Sequence, residues 1–177
     1  MGEEAGNIFV HRNVANLVVN NDVNLLSALQ YGVAYLKVKH VIVCGHYQCG
    51  GIRAAESPSD LGAPLQQWLS NARDVYRLHR TELNAIEDPE ARHRRFVDLN
   101  VIEQCVNIFR AGVIQQRRKE TYLAGEDTLP KVHAMVFDPK TGDLKRIPFD
   151  FSEYEDDLTN VYGMHMLDVP APVVESA

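Results

Sequence analysis

The 177-residue sequence is short of three things: it has only three cysteines, fewer basic than acidic residues, and no long apolar run. Each shortage excludes something. A sparse, odd cysteine count (Cys44, Cys49, Cys105) in a chain without a secretory signal argues against a disulfide framework. Reduced thiols or metal ligands are the better reading. Lys plus Arg is 18 against 24 Asp plus Glu, a formal charge of -6. Nucleic acid and anionic membrane both require a basic face, so neither is an expected partner. No apolar run approaches the length that spans a bilayer. The start, Met1 to Asn7, is acidic and polar, without the pattern of a signal or transit peptide. The expected address is cytoplasmic. No internal repeat or low-complexity block is present.

What is there is the mix of an ordinary globular protein, 45% hydrophobic and 24% charged. The length fits one domain, residues 1–177, able to bury a core without a disulfide or metal. Ile8 to Arg12 reads as a short strand. Asn20 to Asp22 offers a helix cap, and Leu25, Leu26, Ala28, Leu29, Gly32, Val33 and Leu36 recur at helical spacing. His40 to Cys44 is a continuous apolar run, as in a parallel strand covered on both faces. A glycine-rich turn, Gly45 to Gly51, follows it and leads into a helical turn at Ile52 to Glu56. Beyond the polar stretch Ser57 to Pro64 come an amphipathic helix (Leu65 to Tyr76) and a longer one from about Ala91 to Lys119. Lys131 to Phe137 reads as a strand, Asp138 to Asp143 as a turn, and Leu144 to Phe149 as the return strand of a hairpin. From about residue 150 the tail is acidic and partly irregular, above all at Val169 to Ala177. Helices alternating with strands predict an α/β fold around a mostly parallel sheet. Ligands of such folds gather at the carboxyl ends of strands, where His46 and Cys49 lie.

Imidazole nitrogen and thiolate sulfur are zinc ligands, and three positions on a tight loop let both point at one ion. Taken alone, His46 and Cys49 read either as such ligands or as a buried histidine and an inert thiol. Gly45, Gly50 and Gly51 permit a tight turn and close approach of a small ligand. The N–H groups of Gly50 and Gly51, where a helix starts, can face an anion. Cys44 ends an apolar strand and reads mainly as a small core residue, with ligation the lesser alternative. Cys105 and Trp68 read as packing residues, His133 as a satisfied core histidine, and Arg92 to Arg95 as a solvated helix face. His79, His93 and His165 carry no constellation.

Three segments taken together resemble the β-class carbonic anhydrases. They are Phe9-Val-His-Arg-Asn-Val-Ala-Asn16, Ser27-Ala-Leu-Gln-Tyr-Gly-Val33 and Val41-Ile-Val-Cys-Gly-His-Tyr-Gln-Cys-Gly-Gly51. The likeness is close over residues 7–55 and looser through Trp68 and Asp98 to Gln104, as far as the strand at Lys131. It implies an enzyme that interconverts carbon dioxide and bicarbonate with Zn2+, on an α/β fold that forms a homo-oligomer, a dimer or higher. It maps zinc ligands onto His46 and Cys49, and an apolar pocket shared across a dimer interface onto Phe9, Val14 and Tyr31. A wall of that kind suits a substrate without a net dipole. Gly50 and Gly51 complete the expected pocket.

The family's first zinc ligand lies in a Cys-x-Asp-x-Arg motif, and none of the three cysteines here begins one. The first family strand, which carries that motif, is therefore expected to be missing, leaving two matched ligands where a catalytic zinc takes three and a water. No Asp–Arg pair is matched, so no catalytic residue is assured. Activity is expected to fall below that of a complete relative unless Cys44 or a partner chain supplies a ligand. Arg12 is a weaker candidate for anion contact. Phe137 stands near an aromatic position of the regulatory bicarbonate site of some relatives, but lacks a hydroxyl. Two alternatives remain. One is a non-catalytic subunit or paralogue that keeps the dimer-forming core. The other is a redox or metal-sensing module using Cys44 and Cys49, which predicts a reactive, low-pKa thiol.

Overall fold

The computed structural model describes residue 2 and residues 4–164. Helix α1 (Val23–Gln30) starts at Asp22, whose carboxylate accepts from the N–H groups of Asn24 and Leu25. It runs on into a wider turn, Tyr31–Tyr35. Strand β1 (His40–His46) extends to His46, two residues beyond the apolar run. After it come α2 (Gly50–Glu56), α3 (Leu65–Leu78), α4 (Arg80–Ala85), α5 (Pro89–Arg110) and α6 (Gly112–Leu123). Strands β2 (Lys131–Phe137) and β3 (Leu144–Arg146) complete the sheet.

The α/β class is as expected, and the described sheet is small and mixed. Its order is β1-β2-β3, with β1 and β2 parallel and β3 antiparallel to β2. Helix α5 is the spine. Buried positions go nearly all round it from Phe96 to Phe109, and it packs on both β1 and β2. The burial of β1 alternates: Val43 and Gly45 are covered, whereas His40, Ile42, Cys44 and His46 are exposed. The expectation of a strand covered on both faces is thus corrected, because among the described residues the helices clothe only one face.

Four further readings change. Ile8 to Arg12 forms no strand, and Ile8, Phe9 and Val10 are exposed. A strand needs a ladder partner, and none of the three described strands runs beside it. The single helix expected over 91–119 is two, because Ala111 turns extended (ψ 130) between α5 and α6. Apolar spacing continues through that break (Phe109, Val113), so periodicity could not reveal it. Helix α4 also lay in a stretch without a clear pattern. The hairpin's return strand stops at Arg146. Beyond it, Phe149, Phe151, Tyr154 and Leu158 pack on Val106 and Phe109 in a second small core, so the first part of the acidic tail is built in. The irregular arm read at Val169 to Ala177 lies outside the described residues, as does His165.

Candidate metal centre

His46 is the last residue of β1 and aligns with Phe137 at the end of β2. The next N–H, that of Tyr47, still donates to the Phe137 carbonyl (2.9 Å), so the ladder carries the chain just past the histidine. The turn then closes through Gln48, which has a left-handed backbone (φ 59). Cys49 follows as the N-cap of α2, extended and buried. Strand end and helix start thus present imidazole and thiol from one short turn.

The histidine is oriented. Its Nδ1 lies 3.0 Å from the Tyr47 carbonyl, so Nδ1–H donates there and the Nε2 lone pair stays free. Metal-binding histidines are held in this way, by a carbonyl on the other ring nitrogen. Cys49 makes no side-chain cap bond at the start of α2. Free imidazole nitrogen plus thiol is a donor chemistry that suits zinc. The set is incomplete, however. Among the described residues no three His, Cys, Asp or Glu side chains gather into a metal-binding group. Cys44 therefore does not join His46 and Cys49 as the third donor. Nor does it fit a reactive thiol. It is exposed as a residue, yet burial of the sulfur pushes its pKa up, against a weaker lowering by a backbone bond at Phe137.

Tyr47, between the two ligand candidates, anchors the turn. Its buried ring lies under the Arg94 guanidinium, 3.5 Å from centroid to Cζ. Arg94 also donates to Asp138 (3.1 Å). Burial pushes up the pKa of the Tyr47 phenol, which is hydrogen-bonded to Asp98, and the Asp98 charge adds to the effect. Burial raises Asp98 as well, only partly offset by the Tyr47 bond and nearby arginines. In Asp138 the balance reverses: burial pushes up, but the Lys140 N–H and Arg94 bonds outweigh it and the carboxyl is lowered.

The glycines are not equivalent. A Cβ on Gly45 would meet Val101 Cγ2 at 2.6 Å, and one on Gly51 would meet Val14 Cγ1 at 2.9 Å. Gly50 has open space there. Gly51 therefore closes against Val14 while Gly50 faces solvent.

Of the predicted pocket, Val14 is brought to the first turn of α2 through Gly51. Phe9 and Tyr31 pair with each other, centroids 5.7 Å apart, with Phe9 lying on Gly32. Both are half exposed (50%), and Tyr35 extends the row at 5.8 Å from Tyr31. Arg12 is exposed.

Several supporting residues differ from their sequence reading. Trp68 reaches out of its own helix and donates from Nε1 to the Val14 carbonyl (2.9 Å). Asn100, fully buried, donates to the Ala15 carbonyl (2.9 Å), and Gln104 accepts from the Val18 N–H (2.7 Å). Gln104 in turn donates to Asn100 (3.2 Å). The available signal was a pair of amides four apart, Asn100 and Gln104, among the apolar positions Leu99, Val101, Ile102 and Cys105. Arg92 to Arg95 is no simple solvated face, since Arg94 clamps Tyr47 and His93 is buried against Glu56 (2.7 Å). His79 pairs with Glu103 (2.8 Å). His133 is not a core residue: its Nε2 lies 2.9 Å from His40 Nδ1 on the open face. Cys105 is structural as expected, buried, with its thiol pushed up to about 12.

The carbonic anhydrase family model matches residues 1–144. The carbonic anhydrase of Emericella nidulans is 48% identical over 164 residues, covering 93% of this chain and 69% of that protein. That of Candida albicans is 34% identical over 161 residues, covering 90% of this chain and 54% of that protein. Among solved structures, a tetrameric β-carbonic anhydrase from Sordaria macrospora superposes with a TM-score of 0.75 at 36% identity, over 82% of this chain and 71% of that one. The β-carbonic anhydrase CafA of Aspergillus fumigatus gives 0.76 at 29% identity, over 90% and 73%. Among the described residues no helix is long and apolar enough to cross a membrane. The family match, the identity and the shared fold agree: the chain belongs to the β-class carbonic anhydrases, lyases that interconvert carbon dioxide and bicarbonate.

Proposed function

We propose that this chain hydrates carbon dioxide reversibly at a zinc ion ligated by His46 Nε2 and Cys49 Sγ. The observation that carries the assignment is the Nδ1 bond of His46 to the Tyr47 carbonyl, which leaves Nε2 free one tight turn before the thiol. The chemistry a bound zinc supplies is acidification of a coordinated water near neutral pH. The chain's own residues do the rest. Tyr47, clamped by Arg94 and Asp98, fixes the turn that carries both donors. Val14, held by Trp68 and closed on Gly51, forms the apolar wall beside it.

Phe9 and Tyr31 complete the pocket from a second copy of the chain, in a homo-oligomer. Their half-exposed aromatic row, continued by Tyr35, is what such a contact would cover. The Sordaria relatives are described as tetrameric. The protein works in the cytoplasm. A third zinc ligand is required beyond the two donors, so the chain on its own is expected to be less active than relatives with a full set.

Zinc content and stopped-flow hydration, measured on the same sample, test the proposal. Stoichiometric zinc that is lost in both His46→Ala and Cys49→Ser, with activity falling alongside, supports it. Zinc retained in both variants refutes it. The two-donor set also favours a second reading, a non-catalytic relative that pairs with complete chains. That reading predicts a metal-free, inactive chain when purified alone.

A further inference from the structure

We propose that His40 and His133 form a second metal site, a two-imidazole chelate for a divalent transition ion such as Ni2+ or Cu2+, on the open face of the sheet. The two residues stand on neighbouring parallel strands, and His133 aligns with Ile42, two positions along from His40. That diagonal offset brings His40 Nδ1 to 2.9 Å from His133 Nε2, with ring centroids 5.1 Å apart. At this distance the nitrogens share one proton, so at least one of them presents a lone pair to the other.

An ion can displace that proton if both rings turn toward a point beside the N···N line. Two nitrogens about 2.05 Å from an ion and at right angles around it are about 2.9 Å apart, the spacing of a cis pair in tetragonal Cu2+ or Ni2+. A tetrahedral ion needs them at about 3.3 Å. To bind an ion both lone pairs must leave the N···N line and meet at a point beside it, which a turn of each ring supplies, giving a cis pair of imidazoles. His133 is suited to ligation because burial, His40 and the Arg146 and Lys131 charges all hold it toward the neutral form. Lys131 and Arg146 also repel a dication, and among the described residues no third His, Cys, Asp or Glu joins the pair. Water must fill the other positions, and the strength of the site rests on the chelate alone.

The site is separate from the proposed zinc centre and does not depend on it. His40 opens β1 and His46 closes it. Six strand steps of about 3.3 Å put the two sites about 20 Å apart. The function of such a site is to staple the starts of β1 and β2 across their ladder.

The test is titration of the full chain with Ni2+ alone, near neutral pH in a non-chelating buffer, followed by calorimetry. Paramagnetic broadening of the histidine ring resonances is read in parallel. One ion is expected at this pair, broadening the His40 and His133 rings, beside any Ni2+ taken up by His46 and Cys49. His40→Gln and His133→Gln should each weaken binding by about tenfold or more, since one imidazole alone loses the chelate. His46→Ala should leave the broadening of the His40 and His133 rings unchanged. The proposal is overturned if native chain binds no Ni2+ at millimolar concentration or if either Gln variant binds as the native chain does. It is also overturned if His46→Ala abolishes the broadening. Should a variant fail to fold, the native chain decides alone: broadening that spares the His40 and His133 rings overturns the proposal.

Discussion

Three glycines within seven residues should respond differently to the same added methyl group. Gly45 lies in β1, and its backbone is outside the left-handed region, so alanine is allowed there by φ. Space forbids it: the new carbon would sit 2.6 Å from Val101 Cγ2, 3.3 Å from Asn16 Oδ1 and 3.5 Å from Val97 Cγ1. Val97 and Val101 are core residues on α5 and cannot retreat into solvent. Overpacking of this kind costs about 1–3 kcal/mol. Reduced freedom of the unfolded chain returns about 0.5–1 kcal/mol. Gly45→Ala should therefore lose about 1–2 kcal/mol, or about 2–8 °C in Tm for a chain of this size. Gly50→Ala, with open space, should be neutral or gain up to about 1 kcal/mol. Gly51→Ala should fall between, because Val14 is exposed and can shift by a few tenths of an ångström. Urea denaturation of the three variants at one pH measures the order. Equal midpoints for Gly45→Ala and Gly50→Ala would refute the packing assignment and the placement of β1 against α5.

Gln104→Ala removes the acceptor of the buried Val18 N–H and one partner of Asn100, and should cost about 2–4 kcal/mol through unmet polar groups and lost volume. Chemical denaturation checks it; a loss below about 0.5 kcal/mol, the scatter of surface substitutions, would show the amide ladder to be idle. Asp98→Asn tests a sign. Burial raises the folded pKa of this carboxyl above its unfolded value, so its contribution is present below the unfolded pKa and is lost as pH rises through the folded one. An unfolded aspartate titrates near about pH 4, so the loss begins there and is complete once the pH has passed the raised folded value. Across that window the Asn variant should show a shallower loss, or a larger gain, in Tm than the native chain. A steeper loss would reverse the assignment.

Much of the fold was legible because it is local. The run from His40 fixed a strand, and the Asp22 cap and the Leu25 stripe placed α1. The Lys131–Phe137 strand appears with the expected bounds. What failed depends on partners outside the window being read. Ile8 to Arg12 has strand composition and no ladder to join. Ala111 breaks a helix whose apolar spacing never falters. The candidate site divides in the same way. His46, Cys49 and their turn stand out because donor type and spacing are sequence properties. Phe9 and Tyr31, which the resemblance places in a pocket shared across a dimer interface, pair with each other at an exposed surface of the single chain. The clamp on Tyr47 draws Arg94 and Asp98 from a helix some fifty residues on, which no local pattern reveals.

One helix sets both halves of the site. On α5, Val97 and Val101 face Gly45 and seat the strand end that carries His46. Asn100 and Gln104, also four apart, hold the backbone at Ala15 and Val18. Between those two anchors the chain adopts left-handed values at Ala15 (φ 63) and Asn16 (φ 46), a conformation that costs a non-glycine residue about 1 kcal/mol or more. Such a turn persists only where its surroundings over-determine it. Here they do: Trp68 holds the carbonyl of Val14, Asn100 that of Ala15, and Asn13 both the N–H and the carbonyl of Leu17. The result is a Val14 side chain pressed on Gly51 at the start of α2. Neighbouring stripes on α5 thus fix the turn after His46 and the Val14 side chain relative to each other. The buried amides of that helix are explained by the strained turn they support, since apolar residues of like size would leave its carbonyls and N–H groups unmet.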